Sequence, residues 1–392
     1  MKVVVVAEYY PRAHDPVIGF WAHRQAMAAR DAGADVRVLV MFRVIPPRAT
    51  AVRDAPRAIA TLLRQPRRAT IDGIDVEYVP FVSPPRSRSY GTWGAWAAPG
   101  LALALLRLRR RGFRYDLLHA HYAVPAGDAV RRIRDRVRRP TPLIVSAHGG
   151  DGLFDTLDSP NVARAFAAAQ LVLCNSRGTE RRARRAGAGR TRIVHLGADV
   201  PAELPPKRPD PTLVTLAHLV GRKRQGDVLR ALWVLRERHP RLRYLVIGDG
   251  PERARLEALT ARLELTDRVE FTGQLPNREA VALAHTGHLF VLPSIDEAFG
   301  VAYTEAMAGG LPAIGCLGEP GPAELEDAGP GMTLVPPGDI DALAAAIDAH
   351  LSLSRRERME QETLARRTIQ DHFTWDACGE ATVRAYRDVL AG

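Results

Sequence analysis

Short β-branched runs alternate with helix-period stretches along this chain, stop at a cluster of prolines, and begin again. Residues 2–6, 36–41, 117–119, 143–147, 171–174 and 193–195 read as strands, with helical stretches such as 20–32 and 177–186 between them. That alternation buries both faces of a sheet under helices and selects parallel pairing. Pro201, Pro205, Pro206, Pro209 and Pro211 then fall within eleven residues, the best linker candidate in the sequence. Strand-like runs resume at 212–217, 242–248, 269–271, 289–292, 313–315 and 333–335, separated by helical stretches such as 225–238, 252–263 and 301–308. From about residue 339 the pattern is helical to the end. The expectation is an α/β protein of two doubly wound domains, 1–200 and 212–372, joined by the linker 201–211 and facing across a cleft. A last helix, 373–392, packs back on the first domain. A chain of 392 residues has room for two such cores.

Composition removes several classes. The longest apolar run, 93–106, has 14 residues and includes Pro99 and Gly100, whereas a membrane-spanning helix needs about 20. The apolar start, residues 1–6, is too short for a signal peptide and reads as a buried strand. Cys174, Cys316 and Cys378 are too few and too scattered for a disulfide framework or a zinc site, so the expected compartment is the reducing cytoplasm. Charge is uneven: residues 1–200 carry 33 Lys+Arg against 16 Asp+Glu, while the rest carry 22 against 28. All but three of the cations are arginine, as a GC-rich coding bias would also produce. Such a bias does not place the excess in one half. A basic half suits a polyanionic partner: an anionic membrane, nucleic acid or a phosphorylated substrate.

In doubly wound sheets ligands gather beyond the carboxyl ends of the strands. The strand 289–292 runs into a loop carrying Glu297, then Phe299, Gly300 and Val301 where the loop becomes a helix, with Glu305 on that helix. The free N–H groups of Phe299, Gly300 and Val301, with the helix dipole behind them, make an anion site suited to a diphosphate. A carboxylate at the loop tip, Glu297, suits sugar hydroxyls; Glu305 suits a ribose diol. The alternative is two ordinary helix glutamates. After strand 212–217 come His218, Arg222 and Lys223, cations placed to clamp phosphate oxygens or merely a solvated basic turn. Gly248, Asp249, Gly250 and Pro251 read as a structural strand-to-helix turn with Pro251 opening the helix. Strand 143–147 ends in His148-Gly149-Gly150-Asp151, where the imidazole can bond a sugar hydroxyl or a carbonyl, though a lone histidine is more often structural. His119 and His121 end the preceding strand in the same way, and Gly19 lies in the loop after the first strand. All these signals fall at strand carboxyl ends, a clustering that independent structural explanations do not produce.

The segment 297–307, with glutamates eight apart around Phe299-Gly300, resembles the signature of glycosyltransferase family 4. Supporting pieces, in consistent order over nearly the whole chain, are 148–151, 195–199, 219–223, 248–251, 271–273 and 309–312. The resemblance implies a GT-B architecture of two Rossmann-like domains. It also implies a retaining hexosyltransferase that takes its sugar from a nucleotide-diphosphate sugar, a UDP- or GDP-sugar, and requires no metal. By position, Lys223 would neutralise the leaving diphosphate and Glu305 would hold the ribose. Glu297 and the Phe299–Val301 backbone would hold donor sugar and phosphate, His148 would contact the sugar, and Gly19 would belong to a loop closing on the diphosphate. The family carries arginine where this chain has His218; histidine has a shorter reach and is only partly charged near neutrality. Either His218 does that work weakly or Arg222 or Arg224 replaces it. Near Gly19 many relatives have two glycines where this chain has one.

Asp339-Ile340-Asp341 matches a metal-binding Asp-x-Asp by letter, but Asp339 sits where a helix N-cap belongs. In this fold the first domain takes the acceptor: a glycan, a lipid-linked sugar or a small molecule. Tyr90, Trp93 and Trp96, leading into 101–106 and then Arg107, Arg109, Arg110 and Arg111, suit peripheral contact with an anionic membrane at the inner face of the cell membrane, or else a core helix with a basic end. Arg131–Arg139 is a second basic stretch. Two other functions fit less well. A sugar-nucleotide epimerase shares the fold, and a nucleic-acid-binding protein would explain the arginines but not the strand-edge glycines.

Overall fold

The computed structural model describes residues 1–45, 56, 60, 62, 64–149 and 159–392. The chain forms two compact units, Met1–His195 with Trp375–Gly392, and Leu196–Thr374.

The first unit runs β1 (Lys2–Ala7), α1 (Phe20–Asp31), β2 (Asp35–Arg43), β3 (Arg68–Ile71), β4 (Ile74–Phe81), α2 (Trp93–Arg110), β5 (Leu117–His121), α3 (Asp128–Arg134), β6 (Leu143–Ala147), α4 (Pro160–Ala168), β7 (Leu171–Cys174), α5 (Arg177–Arg185) and β8 (Thr191–Ile193). The second runs β9 (Thr212–Leu216), α6 (Gln225–Leu235), β10 (Arg243–Ile247), α7 (Arg253–Arg262), β11 (Val269–Gly273), α8 (Asn277–Ala284), β12 (Leu289–Val291), α9 (Val301–Ala308), β13 (Ala313–Cys316), α10 (Pro320–Ala328), β14 (Met332–Val335), α11 (Ile340–Leu351) and α12 (Arg355–His372). The last helix, α13 (Trp375–Ala391), belongs to the first unit.

The first sheet has the order β3-β4-β2-β1-β5-β6-β7-β8, parallel throughout except for the antiparallel edge pair β3–β4. Its strands are apolar on both faces, as a sheet covered twice requires. Val4, Val6, Leu39, Met41, Leu118, Val145 and Val172 pack with α2, α3 and α4 and with Ala183 of α5 in one core layer. On the opposite face α1 lies against α13, so closely that a Cβ on Gly379 would stand 2.2 Å from the Ala28 carbonyl oxygen. The β3–β4 hairpin was not anticipated from the strand pattern. Its turn is Asp72-Gly73, both at positive φ (45° and 79°), the two-residue turn that the twist of paired strands favours.

The second sheet has the order β11-β10-β9-β12-β13-β14, all parallel. The proline-rich stretch runs along this unit: Lys207 Nζ donates to the Gly287 carbonyl at 2.8 Å, and Arg208 pairs with Glu270 at 2.7 Å. Pro251 does not open the helix that follows it. The turn 248–252 is strapped to the loop after β9 by Leu219 N–H to the Asp249 carbonyl (2.9 Å) and Glu252 N–H to the Leu219 carbonyl (3.0 Å), and α7 begins at Arg253. Gly248 and Gly250 permit this approach, since a Cβ on either would fall within 2.5 Å of a carbonyl oxygen, that of Ala217 or Leu219. Asp339 caps α11, accepting from Ala342 N–H at 2.9 Å.

Apart from the β3–β4 edge hairpin, the strand order reverses once in each sheet, at β1/β5 and at β9/β12. Loops leaving the carboxyl ends of such neighbouring strands diverge to opposite faces and leave a crevice between them, where doubly wound folds hold ligands. Every site residue inferred from sequence in the second unit lies after β9 or β12.

Candidate functional site

In the second unit the loops after β9 and β12 meet. Ile295 N–H donates to the Arg222 carbonyl at 2.9 Å, tying one loop to the other. Lys223 Nζ donates to Glu297 Oε2, and Arg222 Nη1 stands 3.7 Å from the same oxygen. Ser294 Oγ donates to it at 3.0 Å. Glu297, expected at the loop tip, is folded onto these groups and is 8% exposed. Burial alone would raise its pKa, but Lys223 and Arg222 outweigh that and hold the carboxyl below its ordinary value. The cluster keeps one net positive charge from two cations and one carboxylate.

Gly300 caps α9 at φ 81°, ψ 64°, the left-handed region that glycine tolerates best. A Cβ there would meet the Tyr303 ring at 2.4 Å. The Gly300 and Val301 N–H groups make no hydrogen bond among the described residues, so the amino end of α9 is open to an acceptor. Phe299 is buried, and its carbonyl oxygen would lie 2.0 Å from a Cβ on Gly321. Glu319 supports the loop from below, accepting from Glu297 N–H at 2.6 Å; burial raises its own pKa. Glu305, half-buried on α9, accepts from Asn277 Nδ2 at 3.0 Å.

His218 is exposed, and its ring makes no hydrogen bond or ion pair among the described residues. Of the two arginines that could replace the family's arginine, Arg224 is committed to Asp227 at 2.6 Å, while Arg222 reaches Glu297. Ser294, Tyr303, Glu319 and Asn277 were missed from sequence. Only Ser294, three residues before Glu297, offered a local signal.

In the first unit His148 follows β6 and is 4% exposed. Its Nε2 shares a hydrogen bond of 2.9 Å with His121 Nδ1, the two rings stacked at 5.1 Å and 11°. His119 is held by the Tyr386 hydroxyl and Ser146 Oγ, both at 2.7 Å. Burial pushes His148 down to about 4 and His119 down to about 3, and burial with the charges of His119 and His148 holds His121 well below the ordinary imidazole value. All three are neutral near pH 7. His148 Nδ1 is buried without a hydrogen-bond partner, a polar atom that a ligand would satisfy. Gly150 and Asp151 of the same sequence piece lie outside the described residues.

Gly19 caps α1 at φ 66°, with its Cβ position only 2.1 Å from the Tyr9 carbonyl carbon. Only glycine allows this loop to lie on the Tyr9–Tyr10 backbone. The Tyr9 ring contacts Trp21 (6.3 Å) and Tyr122 (5.4 Å), and both of those contact His148, at 6.4 and 5.0 Å. The Gly19 loop and His148 are thus joined through one aromatic cluster. Among the described residues no group of three or more His, Cys, Asp or Glu side chains is arranged to hold a metal ion.

Known proteins place the chain in a family. The pattern for Glycosyltransferase Family 4 matches residues 18–201, and that for Glycosyl transferases group 1 matches residues 199–366. WcaL of Escherichia coli K12, named as a glycosyltransferase of colanic acid biosynthesis, is 30% identical over 276 residues, covering 67% of this chain and 68% of its own. Sucrose-phosphate synthase from Thermosynechococcus elongatus superposes over all of both chains with a TM-score of 0.75 at 20% identity. Anabaena Alr3699/HepE, solved with UDP and glucose, covers 99% of this chain and 100% of its own with a TM-score of 0.70 at 20% identity. These structural likenesses establish the GT-B fold, and with the sequence matches they show that the chain is a glycosyltransferase belonging to family 4.

Proposed function

We propose that the enzyme transfers a hexose from a UDP- or GDP-sugar to an acceptor with retention of configuration at the anomeric carbon. The observation that carries this reading is the convergence, at the β9/β12 crevice, of Lys223, Arg222 and the open amino end of α9. Cationic groups and a helix N-terminus facing one point suit a diphosphate. As the glycosidic bond breaks, negative charge grows on the diphosphate and positive charge on the sugar. Lys223, Arg222 and the Gly300 and Val301 N–H groups are aimed where the negative charge develops, a preorganised stabilisation that costs no rearrangement during reaction. This reading relies on that cationic charge in place of a metal ion. Glu297 fixes the Lys223 ammonium and, from the resemblance, contacts the donor sugar. Glu305 takes the ribose. His148, neutral and with an unsatisfied Nδ1, contacts the sugar. His218 lies close in sequence to the cations and contributes less than Arg222. The Gly19 loop approaches the diphosphate.

The acceptor belongs to the first unit and is a glycan or a lipid-linked sugar, in keeping with the polysaccharide context in WcaL's name. The enzyme works in the reducing cytoplasm, where its three buried thiols persist, and for a lipid-linked acceptor at the inner face of the cell membrane. No helix among the described residues is long and apolar enough to cross a membrane. A thermal-shift screen of UDP-, GDP- and ADP-hexoses tests the donor reading. One nucleotide should stabilise the protein, with UDP and glucose the first to try given the HepE complex. No stabilisation by any of them would defeat it. Stereochemistry is read by NMR of the first-formed product, and an inverted anomer would overturn retention.

A further inference from the structure

The arginine excess of the first half resolves, in the fold, onto one layer of helices. Residues 86–190 contain 20 Lys+Arg and 7 Asp+Glu. The helices in this span, α2 to α5, pack on the same face of the first sheet. Some of those cations serve the fold. Arg131 and Arg132 bind the fully buried Asp128, and Arg134 donates to the Thr141 and Ala168 carbonyls. Others are exposed, among them Arg109, Arg110, Arg111, Arg136, Arg138, Arg139, and Arg181, Arg184 and Arg185 on α5.

On α2 the expected membrane aromatics divide. Tyr90 and Trp93 are buried, the first donating to Glu8 and the second packed into the core. The outer stripe instead reads Trp96, Pro99, Leu103, Leu106, Arg110, spaced three or four residues apart on one helical face. Trp96 is 51% exposed, Leu103 59% and Leu106 43%. Beside this stripe a groove of about 490 Å³ runs between α2 and the β3–β4 hairpin, lined by Arg67, Arg68, Glu77, Leu103 and Arg107 among others. In it the 8%-exposed Glu77 is shared by Arg107 (2.6 Å), Arg68 (3.4 Å) and Arg111 (3.6 Å). Within the groove itself Arg67, Arg68 and Arg107 against the one carboxylate leave two positive charges over, in an opening edged by leucine.

We propose that this face seats the enzyme on an anionic phospholipid bilayer, with Trp96, Leu103 and Leu106 entering the acyl boundary and the Arg67–Arg68–Arg107 groove taking a lipid phosphate. An apolar stripe flanked by arginines matches the two layers of such a surface, apolar beneath and negative above. A soluble polyanion would use the arginines and leave the stripe unexplained. The inference deepens the lipid-linked acceptor of the proposed function. It does not depend on the donor chemistry, because vesicle binding is read without sugar nucleotide.

The test is co-sedimentation of the purified full chain with phosphatidylcholine vesicles, with and without phosphatidylglycerol, at low and high salt. Binding should require phosphatidylglycerol and weaken with salt. Trp96→Ser and Leu103→Ser should each lower partitioning about tenfold, and Arg110→Gln about fivefold. All three sites are exposed, so the variants should keep the wild-type melting temperature and nucleotide response. Trp96→Phe should keep binding while losing quenching of tryptophan fluorescence by brominated lipid. The proposal fails if neutral vesicles bind equally well, if nothing binds, if the serine variants bind like wild type, or if heparin is bound as tightly as vesicles without regard to Trp96 and Leu103.

Discussion

Removing the Lys223 ammonium should harm the second unit in two separable ways. Lys223 and Glu297 are 12% and 10% exposed at their side chains, so Lys223→Ala leaves a nearly dry carboxylate without its nearest cation. Breaking a buried pair from one side costs about 3–5 kcal/mol. Arg222 at 3.7 Å and the Ser294 hydroxyl at 3.0 Å remain, which favours the lower end of that range. For a unit of this size about 3 kcal/mol is a fall of about 6–12 °C in Tm. Glu297→Gln on the Lys223→Ala background removes the stranded charge and should restore most of the lost stability. It should not restore nucleotide affinity. Losing one charge-assisted bond to a diphosphate costs about 1.5–3 kcal/mol, so UDP or GDP should bind about ten- to a hundredfold more weakly to both variants. Calorimetry gives both quantities on the same samples. Equal instability in the single and double variants would show that Glu297 is not the group left stranded. Unchanged affinity in both would reduce Lys223 to a structural lysine and refute its place in the donor site.

Three further outcomes follow from the same geometry. Glu305→Ala should weaken UDP about tenfold with little change in Tm, since the side chain is only half-buried and its hydrogen bond with Asn277 is a single neutral-donor contact; titration calorimetry reads this. Gly19→Ala puts a methyl 2.1 Å from a backbone carbon at φ 66° and should cost about 3 kcal/mol or more in chemical denaturation. Acid should loosen the first unit well before carboxylates protonate: His119, His121 and His148 have folded pKa values below the unfolded 6.5, so the fold favours their neutral forms. Their contribution is complete above about pH 6.5 and is lost as pH falls toward about 4 and about 3, at up to about 4 kcal/mol per pH unit when all three take part, so a flat Tm between pH 7 and 5 would contradict their burial as neutral rings.

What the sequence disclosed was mostly what repeats. The valines of β1 and the apolar runs of β6 and β7 are buried on both faces, and such runs are legible without tertiary context. The site residues were legible through position, each just past a strand. The hairpin β3–β4 was harder. Its outer strand, Arg68–Ile71, is an exposed edge of four residues with a single β-branched pair, and the Asp72-Gly73 turn was the only strong signal. The burial of Glu297 was not legible for a related reason. Its burial depends on Lys223, 74 positions earlier, and on Glu319, 22 later, contacts that the β9/β12 reversal creates and no local pattern encodes. Likewise, Tyr90 and Trp93 look like surface anchors beside arginines, yet the three- and four-residue spacing that exposes Trp96, Leu103 and Leu106 turns Trp93 inward.

The central claim is that the open end of α9 and Lys223 hold the diphosphate of an activated sugar. A crystal structure of the enzyme with its stabilising sugar nucleotide tests this directly. The account predicts diphosphate oxygens within hydrogen-bonding distance of the Gly300 and Val301 N–H groups and of Lys223 Nζ, with the ribose at Glu305. A nucleotide bound elsewhere, with those groups turned to protein partners, would contradict it.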